Sequence, residues 1–69
     1  MSKLQITING EPKDIDPATS LDKLLEELSL KANHVAVEIN MELIPRTKHA
    51  EYELQAGDEL EIVTLAGGG

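Results

Sequence analysis

Alternating apolar and polar residues open the chain and predict a half-buried β-strand over residues 3–8. The apolar face consists of Leu4, Ile6 and Ile8. Asn9-Gly10 follows and is typical of a two-residue hairpin turn, because both turn positions require a positive φ. Residues 11–15 then predict the returning strand. Pro12 has no N–H to donate, so we expect this strand at an edge of the sheet.

A longer period follows and predicts an amphipathic helix. Four leucines at i, i+3, i+4 and i+7 spacing share one face, and acidic side chains occupy the other. The leucines are Leu21, Leu24, Leu25 and Leu28. Thr19-Ser20 offers an N-cap, and Asp22 supplies the acid of an approximate capping box. We expect the helix to end near Leu30.

The second half of the chain predicts three more strand segments. Residues 35–39 alternate as the first strand does, and Asn40-Met41 predicts a turn into a short return at residues 43–44. A polar, irregular stretch then covers residues 46–58. The final strand is expected at residues 59–65. The anchors of the irregular stretch are Tyr52 and Leu54.

The order of these elements predicts a two-layer α+β domain, because a sheet and a helix can bury their apolar faces only against each other. The crossover through the helix should be right-handed, which places the first and last strands side by side at the sheet centre. This is the β-grasp arrangement of ubiquitin-like proteins, a mixed sheet packed on one main helix. We assign residues 1–65 to a single β-grasp domain and residues 66–69 to a flexible C-terminal glycine tail.

Net charge narrows the classes of partner. The 69 residues carry a formal charge of −7, whereas nucleic acids and anionic membranes require basic surfaces. We therefore expect no nucleic acid and no membrane partner, and favour a protein with a basic surface. No segment reaches the ~18 apolar residues of a membrane span, and no apolar signal core opens the chain. We expect a cytoplasmic protein.

Side chains that could perform catalysis are scarce. The chain has no cysteine, which excludes thiolate metal ligands and a cysteine nucleophile. His34 and His49 lie in different segments without spaced acidic ligands, so we predict two partly exposed loop histidines and no metal site. No glycine-rich loop precedes a helix to cradle a nucleotide. We expect no catalytic residue and no cofactor bound by the chain itself.

The glycines that follow the last strand are the unusual feature of the sequence. Residues 66–69 would reach roughly 13–14 Å when extended, and glycine fits channels too narrow for side chains. The terminal α-carboxylate is ionised at neutral pH and is a nucleophile toward the α-phosphate of ATP. Taken alone, three terminal glycines are more typical of a frayed chain end. Joined to this strand and fold, they favour a functional tail, in which Gly69 carries the chemistry and Gly67 and Gly68 give access to it.

Three further residues are candidate partner contacts. Val63 and Leu65 should face away from Leu60 and Ile62 in the last strand, close to the tail. They would either form a docking patch for a partner or be covered by another strand or by the loop 46–58, and the pattern favours neither. Arg46 is a basic residue in an acidic chain. It would either steer an acidic patch of a partner or pair with surface glutamates, and the latter is the more ordinary role.

Over essentially its whole length, the chain resembles the ThiS-type sulfur carrier proteins of thiamine biosynthesis. No single motif is decisive, and the ordered set carries the resemblance. The matching stretches are Ile6-Thr7-Ile8-Asn9-Gly10, Val35-Ala36-Val37-Glu38-Ile39-Asn40, Leu43-Ile44-Pro45-Arg46 and Gln55-Ala56-Gly57-Asp58-Glu59-Leu60-Glu61-Ile62-Val63, leading to Gly67-Gly68-Gly69. Met41-Glu42 departs from the pattern where a glycine often sits, which affects the turn type.

The resemblance implies that an E1-like adenylyltransferase of the ThiF type uses ATP and Mg²⁺ to adenylate the carboxylate of Gly69. A sulfur donor enzyme bearing a persulfide then converts Gly69 to a thiocarboxylate. A thiazole synthase of the ThiG type takes that sulfur for thiazole formation. The protein would be a cosubstrate rather than an enzyme, and its lack of cysteine requires the sulfur to sit at the carboxyl end.

Two alternatives stay open at this point. The small subunit of molybdopterin synthase also presents a C-terminal glycine thiocarboxylate, although the absence of proline from residues 62–66 favours the thiamine carrier. A ubiquitin-like protein modifier or interaction module would use the same tail and the same activation to form isopeptide bonds. The sequence does not identify the final sulfur acceptor, the oligomeric state or the partner footprint.

Overall fold

The computed structural model describes residues 2–65, which form five β-strands, one α-helix and two 3-10 helices. The strands are β1 (Leu4–Ile8), β2 (Glu11–Ile15), β3 (Val35–Ile39), β4 (Glu42–Leu43) and β5 (Glu59–Thr64). The helix α1 covers Leu21–Glu27, and the 3-10 helices cover Ala32–His34 and Arg46–Glu51. The predicted order of elements is confirmed, whereas the first half of the stretch 46–58, predicted to be irregular, is helical.

The strands form one mixed sheet in the order β2-β1-β5-β3-β4. Strands β1 and β5 are parallel, with Thr7 opposite Glu59 and Ile8 opposite Leu60. The other neighbouring strands are antiparallel. The first and last strands therefore lie side by side inside the sheet, which confirms the β-grasp prediction.

Both hairpin turns use left-handed backbone conformations. Asn9 and Gly10 have φ values of 50° and 84°, as the Asn-Gly pair predicts. Asn40 and Met41 have φ values of 53° and 72°, so this turn keeps the same pair of positive φ values without a glycine. Pro12 lies in β2, the edge strand at one side of the sheet, as predicted.

Helix α1 is shorter than the leucine spacing predicts, and its end has a clear cause. The backbone N–H of Leu30 donates to the Leu25 carbonyl at 2.9 Å, and that of Ser29 donates to Glu26 at 3.0 Å. With Ser29 at φ 60°, these bonds form a Schellman motif, which closes the helix after Glu27. The prediction that the helix ends near Leu30 was therefore wrong. Leu30 lies beyond the helix, although it still packs against the core.

The core lies between α1 and the inner face of the sheet, and its buried hydrophobic residues are all aliphatic. The three predicted helix positions Leu21, Leu24 and Leu25 are buried, and Leu28 packs beside them. Leu54 is fully buried and Tyr52 is half-buried, which confirms both as anchors of the loop before β5. The sheet contributes Ile6, Ile15, Val35, Val37, Ile39 and Leu60.

Helix length also bears on membrane insertion. Within residues 2–65, every helix is too short or too polar to span a lipid bilayer.

Candidate functional site

Strand β5 is the element that connects the folded domain to the predicted reactive end. It lies between β1, which pairs with the start of β5, and β3, which pairs with β5 as far as Thr64. The N–H of Leu65 donates to the His34 carbonyl at 2.9 Å, which continues the pairing one residue past the strand. Gly67, Gly68 and Gly69, and the proposed tail 66–69, lie outside the described residues. Their predicted roles are therefore untested by the structure.

The side of the sheet away from α1 carries an apolar area beside the end of β5. Val63 is 55% exposed and Leu65 is 47% exposed, whereas Leu60 on the opposite side of the strand is buried. Ala36 of β3 lies directly opposite Val63. The prediction that Val63 and Leu65 face away from Leu60 and Ile62 agrees with this alternation.

The same side of the sheet becomes acidic toward the start of β5. Glu61 lies directly opposite Glu38 of β3, and Glu59 precedes it by two positions on the same side. With Thr7, Gly10 and Met41, these glutamates line a concavity of about 490 Å³. We call this surface the outer face. It comprises Ala36, Glu38, Glu59, Glu61, Val63 and Leu65.

Two like charges placed directly across neighbouring strands destabilise a sheet. Glu38 and Glu61 occupy such a pair, and neither forms an ion pair within the described residues. The surface is therefore complementary to a partner that brings positive charge to the acidic end and apolar side chains to the end near Leu65.

Arg46 does not belong to the outer face. It is exposed at the start of the 3-10 helix Arg46–Glu51, which packs against α1. Across residues 2–65 the single ion pair joins Lys3 to Asp16 at 2.7 Å, so the expected pairing of Arg46 with a surface glutamate is not found. Contact with Asp16 raises the pKa of Lys3, but this exposed pair lies far from β5 in sequence and adds little to stability.

Two asparagines bind β5 through their side chains, a role that the sequence analysis missed. Asn9 Oδ1 accepts from the Ile62 N–H at 2.8 Å, and Asn9 Nδ2 donates to the Ile62 carbonyl at 3.0 Å. Asn40 Oδ1 accepts from the Glu59 N–H at 3.1 Å. The repeated Ile-Asn pair at residues 8–9 and 39–40 was the available signal, although it also fits a turn alone.

The turn before β5 is held by Asp58, which is 7% exposed. Its carboxylate accepts from the Gln55 N–H at 2.8 Å and from Asn40 Nδ2 at 3.0 Å. Gly57 has a φ of 85°, the left-handed conformation that favours glycine. The Gly-Asp pair thus fixes the point where β5 begins.

His49 is buried, which contradicts the prediction of a partly exposed histidine. It is 3% exposed, and its Nε2 lies 3.1 Å from the Ile44 carbonyl. A carbonyl only accepts, so Nε2 is the donor in this bond. The 3-10 helix places this side chain inward, which its polar neighbours in sequence did not indicate. His34 is exposed as predicted.

No cluster of metal-ligating side chains occurs within the part of the chain that the structure describes.

Tyr52 is the one group near the β4 side with a shifted pKa. Partial burial raises the pKa of the phenol, and the carboxylates of Asp58 and Glu42 raise it further. The phenol of Tyr52 therefore stays protonated at neutral pH.

The topology and the exposed end of β5 define a ubiquitin-like β-grasp domain. The sequence profile of the ThiS family matches residues 6–69. The chain therefore belongs to the ThiS family.

A crystal structure of the thiamine biosynthesis protein ThiS from Geobacter metallireducens superimposes with a TM-score of 0.80. It is 32% identical, and the match covers 96% of this chain and all of that one (100%). The sulfur carrier protein ThiS of Thermus thermophilus is 34% identical over 64 residues, which is 93% of this chain and 98% of that protein.

A third relative is much longer than this chain. A thiazole synthase of Paramagnetospirillum magneticum is 38% identical over 66 residues, which is 96% of this chain. The chain spans 20% of the length of that relative.

Proposed function

We propose that this protein is a sulfur carrier of thiamine biosynthesis and that the Gly69 carboxylate is the group that becomes a thiocarboxylate. The observation that carries the proposal is the family match over residues 6–69, on a chain with the fold of a solved ThiS protein. The similar protein of Thermus thermophilus is named a sulfur carrier protein. In this role the chain is a cosubstrate that is charged and discharged, rather than an enzyme.

The chemistry begins at the carboxylate oxygen of Gly69. That oxygen attacks the α-phosphate of ATP, pyrophosphate leaves, and an acyl-adenylate forms on the carrier. ATP and Mg²⁺ would be bound by a ThiF-type adenylyltransferase. The terminal sulfur of a donor persulfide then attacks the acyl carbon, and AMP leaves. A thiol then attacks the donor-side sulfur of the resulting acyl disulfide, which releases the thiocarboxylate and leaves a disulfide between that thiol and the donor.

The absence of cysteine supports this assignment of the sulfur site. A thiolate side chain is the usual carrier of transferable sulfur, and this chain contains none. The carboxyl group of Gly69 is then the remaining group that can hold a transferable sulfur atom, as a thiocarboxylate. Gly68 and Gly67 lack side chains and would let that group reach a narrow active site.

The outer face is the docking surface that we assign to the adenylyltransferase. Its apolar end, Val63 and Leu65, adjoins the residues that continue toward Gly69. Its acidic end holds Glu38 opposite Glu61. An enzyme surface with apolar side chains beside basic ones would bury the first and neutralise the second, and opposite charge speeds the encounter.

Thiazole synthase is the proposed sulfur acceptor. The Paramagnetospirillum relative carries that name, and a fifth of its length is similar to nearly all of this chain. Sequences that occur within one polypeptide in one organism favour a joint role for the separate proteins. The synthase would bind the charged carrier and accept sulfur from the Gly69 thiocarboxylate.

A discharge assay tests the proposal and its alternatives. The carrier is charged with sulfur, isolated, and mixed with thiazole synthase or with the large subunit of molybdopterin synthase. Intact mass spectrometry measures the thiocarboxylate that remains. We expect it to be lost with thiazole synthase and kept with the large subunit of molybdopterin synthase. Discharge by the molybdopterin subunit alone, or isopeptide bonds to lysine, would contradict the thiamine assignment.

A further inference from the structure

The side chain of Asn9 replaces a missing piece of the sheet beside β5. Strand β1 pairs with β5 at Thr7 and Ile8, and the Asn9 N–H still donates to the Leu60 carbonyl at 2.8 Å. The positive φ values of Asn9 and Gly10 then turn the backbone away into β2. The next rung, at Ile62, therefore has no backbone neighbour on this side.

The Asn9 carboxamide fills that position with the geometry of a peptide group. Its oxygen accepts from the Ile62 N–H at 2.8 Å, and its nitrogen donates to the Ile62 carbonyl at 3.0 Å. A carboxamide is the one short side-chain group with both an N–H donor and a carbonyl acceptor. A carboxylate at the same place would lose the bond to the carbonyl.

These bonds hold β5 on its β1 side up to Ile62, three residues before Leu65. On the other side, β3 pairs with β5 as far as Thr64, and His34 accepts from Leu65. Without Asn9, the last part of the strand would be held from one side only. The direction in which the chain leaves the sheet toward residues 66–69 would then be less defined.

We propose that Asn9 is a positioning residue for the charging reaction. It holds the last part of β5, so that the chain leaves the sheet toward Gly69 from a defined place when the carboxylate enters the adenylating site. The inference rests on the proposed function, because it assigns Asn9 to the reaction of that same tail. It extends the role of Asn9 beyond a turn residue.

Asn40 provides a matched control within the chain. It also occupies the first position of a turn, with a φ of 53°, and its side chain also binds β5. Its bonds reach Glu59 and Asp58 at the start of the strand, away from the exit. Glycine tolerates positive φ, so Asn9→Gly and Asn40→Gly remove the side-chain bonds and preserve both turns.

The test compares the two variants at a temperature where both are folded. Steady-state adenylation by a ThiF-type enzyme gives kcat and KM, and amide hydrogen exchange reports the strand. We expect Asn9→Gly to lower kcat about tenfold or more with KM within about twofold, since small displacements of a reacting group slow chemistry strongly. In Asn9→Gly, hydrogen exchange at the Ile62 amide should accelerate by about tenfold. In Asn40→Gly, the same acceleration should occur at the Glu59 amide instead.

The kinetic difference between the variants decides the inference. Asn40→Gly should keep kcat within about twofold of the parent chain, because its lost bonds lie far from the exit. Equal kcat values for Asn9→Gly and the parent, or equal losses in both variants, would overturn the positioning role. A parent chain that is not adenylated at all would overturn the proposed function and this inference with it.

Discussion

Val63 of β5 lies directly opposite Ala36 of β3 on the side of the sheet away from α1. Alanine offers only a methyl group, and the Val63 side chain stands 55% exposed above it. Together with Leu65, this pair forms the apolar end of the outer face. Its position beside the exit of β5 links the folded domain to the chemistry proposed at Gly69.

Replacing Val63 with aspartate should weaken docking of the adenylyltransferase. The added charge would be desolvated at the apolar contact, so we expect KM to rise about tenfold or more with little change in kcat. Thr64→Asp is the matched control, because it adds the same charge to the next, exposed residue, which points to the other side of the strand. Equal effects of the two substitutions would argue against a docking role for the outer face.

The facing glutamates Glu38 and Glu61 should lower the stability of the free protein and strengthen its binding to the adenylyltransferase. Glu61→Gln removes the repulsion from Glu38, so the free energy of unfolding should rise by ~0.2–1 kcal/mol, and less at high salt. The same substitution should raise KM for the adenylyltransferase. Denaturant melts and steady-state kinetics measure both quantities, with Glu26→Gln on α1 as the control. Unchanged KM would mean that the acidic end does not contact the enzyme.

Met41→Gly should stabilise the protein. Met41 has a φ of 72° and is 93% exposed, so its side chain makes few contacts. Relief of a left-handed side-chain clash is worth ~1–2 kcal/mol, which exceeds the ~0.4–1 kcal/mol by which glycine stabilises the unfolded chain. We expect a net gain of roughly 0.5–1 kcal/mol in denaturant melts. Met41→Ala keeps the Cβ atom, and an equal gain there would disprove backbone strain as the cause.

Tyr52 predicts a loss of stability in alkaline solution. Partial burial first, and then Asp58 and Glu42, raise the pKa of its phenol in the folded chain. Above pH ~10 the unfolded chain loses this proton before the folded chain does, so the free energy of unfolding should fall as pH rises further. Below that pH both states are protonated and the effect vanishes.

Tyrosinate absorbance reports this group alone, because Tyr52 is the single aromatic residue. The midpoint should lie at higher pH in the folded chain than in denaturant. Tyr52→Phe should abolish the corresponding pH dependence of unfolding. A folded midpoint at or below the denatured one would refute the assignment of Tyr52 to a shielded, acidic environment.

Most strands and the helix were predictable from the sequence, because the periodicity of apolar residues within a short segment determines each of these elements. Alternation located β1, the leucine spacing located α1, and the chain order implied that β1 and β5 lie side by side, as they do. The helix end required contacts that spacing does not encode. The leucine period continues to Leu28, yet the left-handed Ser29 lets Leu30 bond back to Leu25.

The site was predictable where it depends on a strand and not where it depends on the packing of distant segments. The alternation of β5 placed Val63 on the outer face correctly. Arg46 was expected either to steer a partner or, more ordinarily, to pair with a surface glutamate, and within residues 2–65 it forms no ion pair. His49 was predicted to be partly exposed, and Asn9 was assigned only to a turn. Their hydrogen-bond partners, Ile44 and Ile62 respectively, come next to them only when the chain folds.

The intact mass of the charged protein tests the central claim most directly. The chain is incubated with a ThiF-type adenylyltransferase, ATP, Mg²⁺ and a persulfide donor, beside a variant that lacks Gly69. Shortening by one residue displaces the carboxylate by up to ~3.6 Å, and a misplacement of ~1 Å can slow a reaction ~10²-fold. We expect the full chain to exchange one oxygen for sulfur at Gly69, and the variant to react at least ~10²-fold more slowly. Equal rates for the two chains, or sulfur at any other residue, would contradict the account.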